Sequence, residues 1–212
     1  MNATEIRPKT FHAVLLYDPV TVGTIPLDPI KASTSFKMMT LLPDEVMGGV
    51  LVLANESAKL KVTIQSNRLE YIDENENDFI KRNLDELWKL VRAIPTFQVK
   101  SYGINFILRV TSQHDDGAGK FVADNYIKDS AKLEKDLQQP IISASVRLFL
   151  GTPDYHRDLR ITPTDLSSKE LVFQYHLHRE IPIADTEKLV RTIGDSVATS
   201  WAECEEWINK LP

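Results

Sequence analysis

Two histidines two positions apart, His176 and His178 in the run Gln-Tyr-His-Leu-His, have the type and spacing of a metal-ligand pair. In a strand, residues two apart project from one face, so both imidazoles stand opposite Phe173, Tyr175 and Leu177. Neutral imidazoles take zinc or another divalent ion once one or two further ligands arrive, and His12, His156 or Glu180 could supply them. The corresponding expectation is a metal-dependent enzyme, set against two histidines on a solvated sheet face. The same face gathers arginines. Arg109, Arg147 and Arg160 share it with His176 and His178, and guanidiniums in a cleft hold a carboxylate or phosphate in bidentate fashion. That pattern expects a small-molecule or anion binder, set against ordinary ion pairs to Asp158 and Glu170.

Other constellations are poorer. Gly117 and Gly119 precede Lys120, but the spacing and Phe121 after the lysine depart from the phosphate-loop pattern, so His114 to Lys120 reads as a turn. No Gly-x-Ser-x-Gly elbow occurs. Cys204 lies on an apolar helical stripe with Val197 and Trp201, which fits a small core residue. Carboxylates are plentiful, yet nothing in their order makes two of them converge. The leading expectation is therefore a non-enzymatic binding or protein-interaction protein without a cofactor. Its partner is an unknown protein or a small anion, and self-association into a homo-oligomer is part of that reading. An exposed Trp207 would suit a partner surface.

Composition supports a folded chain. Of 212 residues, 42% are hydrophobic and 26% charged, as in globular rather than disordered proteins. The net charge of −5 gives no electrostatic reason to bind nucleic acid or an anionic membrane. Apolar runs such as 11–17 and 49–54 are too short to span a bilayer. The N-terminal residues lack the apolar core of a signal peptide. A single cysteine forms no intrachain disulfide, and these features together suggest a cytoplasmic location.

The elements that must carry the His/Arg face are strands. Residues 1–9 read as a lead-in and 11–17 as a buried strand. Residues 18–34, with Pro19, Gly23, Pro26 and Pro29, read as an ordered loop. Strands are expected at 35–42, 46–54, 59–66 and 69–72, the second with a bulge at Gly48-Gly49. A helix follows, striped by Ile80, Leu84, Leu87, Trp88 and Val91 and stopped at Pro95. The second part repeats the theme: a strand over 97–112, a helix over 121–137, strands over 141–150, 157–162 and 170–179, and a long helix over 185–210. Its stripe is Leu189, Ile193, Val197, Trp201, Cys204 and Ile208.

The two parts correspond at an offset of about 110 positions. Phe36 to Met39 falls on Val146 to Phe149, and Pro43-Asp44 on Pro153-Asp154. Leu60, Val62 and Ile64 fall on Leu171, Phe173 and Tyr175, and Ile80, Leu84 and Trp88 on Ile193, Val197 and Trp201. The expected class is α+β with internal duplication: residues 1–96 and 97–212 as halves of one unit, each an antiparallel sheet backed by a long C-terminal helix. This order resembles the duplicated TATA-binding-protein-like fold, which implies one curved sheet and no particular activity. A second resemblance rests on Ile64-Gln65-Ser66-Asn67-Arg68-Leu69, followed by a helix and Tyr102-Gly103-Ile104-Asn105-Phe106-Ile107-Leu108-Arg109. That arrangement resembles a sporadically distributed family of uncharacterised bacterial proteins, though the strand spacing departs from the family's Tyr-x-Asn-Arg pattern. It carries over no catalytic residue.

Overall fold

The computed structural model describes residues 5–43, 48–76, 84–94, 98–111, 117–165 and 168–210. Among them, nine strands form one continuous sheet. They are β1 (Glu5–Tyr17), β2 (Met38–Leu42), β3 (Val50–Asn55), β4 (Leu60–Ile64), β5 (Arg68–Asp73), β6 (Val99–Thr111), β7 (Val146–Thr152), β8 (Tyr155–Pro163) and β9 (Glu170–Ile183). The helices are α1 (Leu27–Ser33), α2 (Asp85–Ala93), α3 (Ala118–Tyr126), α4 (Ser130–Leu137) and α5 (Thr186–Lys210). The spatial order is β2-β3-β4-β5-β1-β6-β9-β8-β7, and every neighbouring pair is antiparallel. The mixed α+β class read from the sequence holds.

Three expectations need correction. Strand β1 already begins at Glu5, within the stretch expected as a lead-in. Pro8 fits there because the β1–β6 register shifts between Pro8 and Thr10, so the missing N–H falls at an irregularity of the ladder. The proline-rich stretch holds a helix, α1. Pro29 is its third residue, where the N–H has no intrahelical acceptor, and Pro26 occupies the cap. The helix expected over 121–137 is two, because Asp129 takes a left-handed conformation with φ 55° between α3 and α4.

The residue-level match between halves also fails in space. Leu60, Val62 and Ile64 lie in β4, separated from β1 by β5. Leu171, Phe173 and Tyr175 lie in β9, directly beside β6. Asp44 and Ile80, which carried parts of that reading, fall outside the described residues, as do Pro95, expected to stop the first helix, and His114 of the expected turn.

Alternation sorts the central strands into two faces. Phe11, Ala13 and Leu15 of β1, Ile104, Phe106 and Leu108 of β6, and Phe173, Tyr175 and Leu177 of β9 enter one hydrophobic core. Phe106 is its hub. Its ring lies 5.9 Å from Phe11, 5.8 Å from Tyr175 and 5.9 Å from Trp201 of α5. Such aromatic pairs contribute about 0.5–1.5 kcal/mol each beyond burial. α5 is further tied to this face by Tyr102 Oη and Ser196 Oγ at 2.7 Å. Glu203 of α5 accepts from Tyr175 Oη at 2.8 Å and from Arg157 Nη2 and Nε at 2.6 and 3.0 Å.

Candidate functional site

On the face opposite this core, four strands bring a polar row into register. His12 of β1 pairs with Asn105 of β6, Asn105 with His176 of β9, and His176 with Asp158 of β8. The adjacent row runs Val14, Gly103, His178, His156, and on the other side lie Ile107, Gln174, Arg160 and Arg147. These rows floor a cavity of about 470 Å3, which His12, Arg68, Asn105, Asp158, Arg160, Gln174, His176 and His178 line among others.

The glycine at 103 has a specific cause. An ideal Cβ there would stand 2.9 Å from Cε1 of His176, so the His176 ring occupies the space a side chain would need. The ring leans across Gly103 and places Nδ1 2.5 Å from Asn105 Oδ1. Asn105 Nδ2 lies 3.4 Å from both His12 Nδ1 and the His12 carbonyl oxygen. His12 Nε2 is buried and has no hydrogen-bond partner among the described residues. A buried polar atom left in that state costs about 1–3 kcal/mol.

Charge in the cavity is largely compensated. Asp158 is buried, at 7% exposure. It accepts from Arg147 Nε and Nη2 at 2.9 and 2.8 Å and from Arg160 Nη2 at 2.9 Å. These two guanidiniums, opposed by burial, hold its carboxyl at about 2. Arg147 also sits 4.4 Å from the centroid of Phe149. Burial, then the neighbouring His178, His156 and His12, push His176 down to about 4 against the pull of Asp158. Burial lowers His12 as well, with Glu70 opposing and Arg68 reinforcing the shift. Both rings are therefore mainly neutral at pH 7.

The residues foreseen for the site divide accordingly. Arg160, His176 and His178 line the cavity. Arg147 stands at its margin, committed to Asp158 on edge strand β7. Arg109 is on the same face but does not line the cavity: it lies four residues along β6 from Asn105, roughly 13 Å, and pairs with Glu170 at 3.4 Å. The open cationic surface is thus corrected to a set of ion pairs, because Asp158 and Glu170 project from the same face as the arginines. For the metal reading, the rings of His156 and His178 approach to 4.9 Å and those of His176 and His178 to 6.4 Å. Even so, among the described residues no group of three or more His, Cys, Asp or Glu side chains is arranged to hold a metal ion. His176 Nδ1 is already taken by Asn105.

Asn105 and Gly103 are the cavity positions that inspection of motifs passes over, and His12 is noted only as a further ligand. Alternation puts Asn105 opposite the apolar residues of β6, but the join to His12 and His176 depends on which strands become neighbours.

No protein-family model matches the chain, and no curated protein matches it significantly. Among the described residues, no helix is long and apolar enough to cross a membrane.

Proposed function

We propose that the protein is a non-enzymatic small-molecule-binding protein whose ligand occupies the cavity floored by β1, β6, β9 and β8. The observation that carries this reading is the convergence of polar side chains from five strands, Arg68 of β5 included, on one cavity, with His12 Nε2 buried and without a hydrogen-bond partner among the described residues. The cavity volume falls in the range of about 300–1,000 Å3 usual for ligand sites. A catalytic reading finds less support. Asp158 is spent on two arginines, His176 is a weakened base, and burial raises the Cys204 thiol well above its ordinary range. Compensation of the arginines also disfavours a small anion as the natural ligand.

The test is thermal stabilisation by a panel of metabolite-sized compounds, run on the wild type and on Gly103→Val, which intrudes on the His176 ring. Compounds that raise the melting temperature of the wild type and not of the variant support the reading. Stabilisation that is identical in both, or found with no compound, sinks it.

A second reading, protein interaction by self-association, has its own observation. Both edge strands are apolar and exposed: Met38, Leu41 and Leu42 on β2, and Leu148, Phe149 and Leu150 on β7. Such edges offer unpaired backbone groups to another strand. An antiparallel β7–β7 contact centred on Leu148 would set Arg147 against Phe149 of the second copy. Concentration-dependent sedimentation that Leu148→Lys abolishes supports it, and a monomer at all concentrations refutes it.

We further infer that the chain arose by duplication, on strand order rather than on the residue match. Counted outward from the β1–β6 seam, β5-β4-β3 mirrors β9-β8-β7, β2 is extra, and a helix follows β5 and β9 alike. The single buried cysteine is in keeping with a cytoplasmic protein, and the resemblance to the sporadically distributed bacterial family belongs to the same proposal.

A further inference from the structure

The side of β9 that packs beneath α5 ends in a charge. Leu171, Phe173, Tyr175 and Leu177 alternate into the core, and Arg179 takes the next position of that period, where an apolar residue would continue it. It lines a second cavity, of about 380 Å3, on the side of the sheet opposite His176 and His178. Thr192, Asp195 and Thr199 line it from α5, three or four positions apart and so on one flank of the helix. Ser196 and Ser200 share that flank and are spent on Tyr102 and Tyr175. Short polar side chains on this flank leave open the space that leucines would fill against the sheet.

Arg179 stands apart from the other half-buried arginines. Among the described residues, Arg68, Arg109, Arg157 and Arg160 each face a carboxylate, whereas Arg179 has neither an ion pair nor a hydrogen-bond acceptor. Its guanidinium lies 5.6 Å from the ring centroid of Tyr155, which also lines the cavity. A ring attracts a cation without accepting its fork of N–H groups, so the donors of Arg179 remain open. We propose that this cavity is a second binding site, and that it takes a small polar monocarboxylate anchored on Arg179. A carboxylate answers a guanidinium through two parallel hydrogen bonds. Asp195 limits the charge of the ligand, because it repels a dianion about twice as strongly as a monoanion at the same place. Arg157, 4.7 Å from the centroid of the same Tyr155 ring, adds no free charge, since Glu203 accepts from it twice. The site lies across the sheet from the histidine cavity and stands independently of the ligand proposed there.

The test uses the full chain labelled with nitrogen-15, in which the Arg179 Nε–H signal reports on its own guanidinium. The probes are gluconate, glucose and inorganic sulfate: a polar monocarboxylate, an uncharged counterpart and a dianion. Gluconate should move the Arg179 signal at millimolar concentration and bind about tenfold more tightly than glucose or sulfate. Its binding should be lost in Arg179→Gln, whose melting temperature should remain that of the wild type because Arg179 holds no carboxylate in the fold. Asp195→Asn should narrow the gap between gluconate and sulfate, and an unchanged gap overturns the charge limit set by Asp195. No shift with gluconate overturns the proposal, as does sulfate bound equally tightly or binding that survives in Arg179→Gln. Gluconate that moves the His176 ring signals and not Arg179 belongs to the other cavity and overturns it too. Should Arg179→Gln fail to fold, the wild-type signal and Asp195→Asn still decide the matter. The compound panel with Gly103→Val tests the first cavity separately, so the failure of one site is told from the failure of the other.

Discussion

Replacing Asp158 by Asn should both weaken the fold and create an anion site between Arg147 and Arg160. The carboxylate accepts three charge-assisted hydrogen bonds from Arg147 and Arg160, and these hold its carboxyl at about 2 against an ordinary 3.8. A depression of that size corresponds to roughly 2.5 kcal/mol. The arginine side chains are 49% and 43% exposed, so solvent screening brings the expected loss to about 1–2 kcal/mol at pH 7. For a domain of this size, that lowers the melting temperature by about 3–6 °C. The sign follows from linkage. A carboxyl depressed in the folded state contributes fully above the unfolded value and loses its contribution as pH falls through about 2. The gap between wild type and Asp158→Asn should therefore be constant near neutrality and close between about pH 4 and 2. With the carboxylate gone, two guanidiniums are left facing one another, and inorganic phosphate should stabilise the variant and not the wild type. Thermal melts across pH, with and without phosphate, read all of this. A variant as stable as the wild type at pH 7, or an equal response of both to phosphate, would refute the assignment of Asp158 as the group that neutralises the face.

Gly103→Ala should lose about 1 kcal/mol in urea unfolding as the His176 ring is driven off Asn105, although alanine in a strand ordinarily gains on glycine; a stabilised variant would remove the close contact from the account. His176, neutral in the fold with its value at about 4 against 6.5, makes the unfolded state the better proton acceptor between those values. Stability should then fall by about 2 kcal/mol as pH drops through that window, after allowance for partial exposure, and His176→Gln should flatten that slope in pH-dependent denaturation. Glu203→Gln removes the charge that satisfies Arg157 and Tyr175 between α5 and the sheet, and should cost about 2–3 kcal/mol; a loss below about 0.5 kcal/mol, the scatter of ordinary surface changes, would show that the network is solvated.

Period-two patterning made most strands legible, and the apolar stripe Leu189, Ile193, Val197, Trp201, Cys204 and Ile208 marked α5 almost to its ends. What escaped was set by context. Residues 1–9 looked like a lead-in and Pro29 like a break, yet Pro8 and Pro29 each sit where the missing N–H is not needed. An extended Ile127 and a left-handed Asp129 split a helix that composition alone would continue. Among the site residues, His176 and His178 stood out because they are close in sequence. Asn105 did not, since its role depends on β1 and β9 flanking β6, a fact of long-range pairing. The arginines misled for the same reason: opposing charges on neighbouring strands are invisible until the strands are adjacent. Ordinary ion pairing of Arg147 and Arg160 with Asp158 is the arrangement the fold adopts.

The position of β1 has a consequence for how the chain comes into being. It leaves the ribosome first among the described elements, yet both of its edges are closed only by β5 and β6, and the last residue of β6 is Thr111. At synthesis rates of about 5–20 residues per second, the apolar face of Phe11, Ala13 and Leu15 waits roughly 5–20 seconds for its second neighbour. Nascent chains of this protein should accordingly be clients of chaperones that hold extended apolar segments, and crowding of polysomes should penalise its yield more than its final stability would suggest.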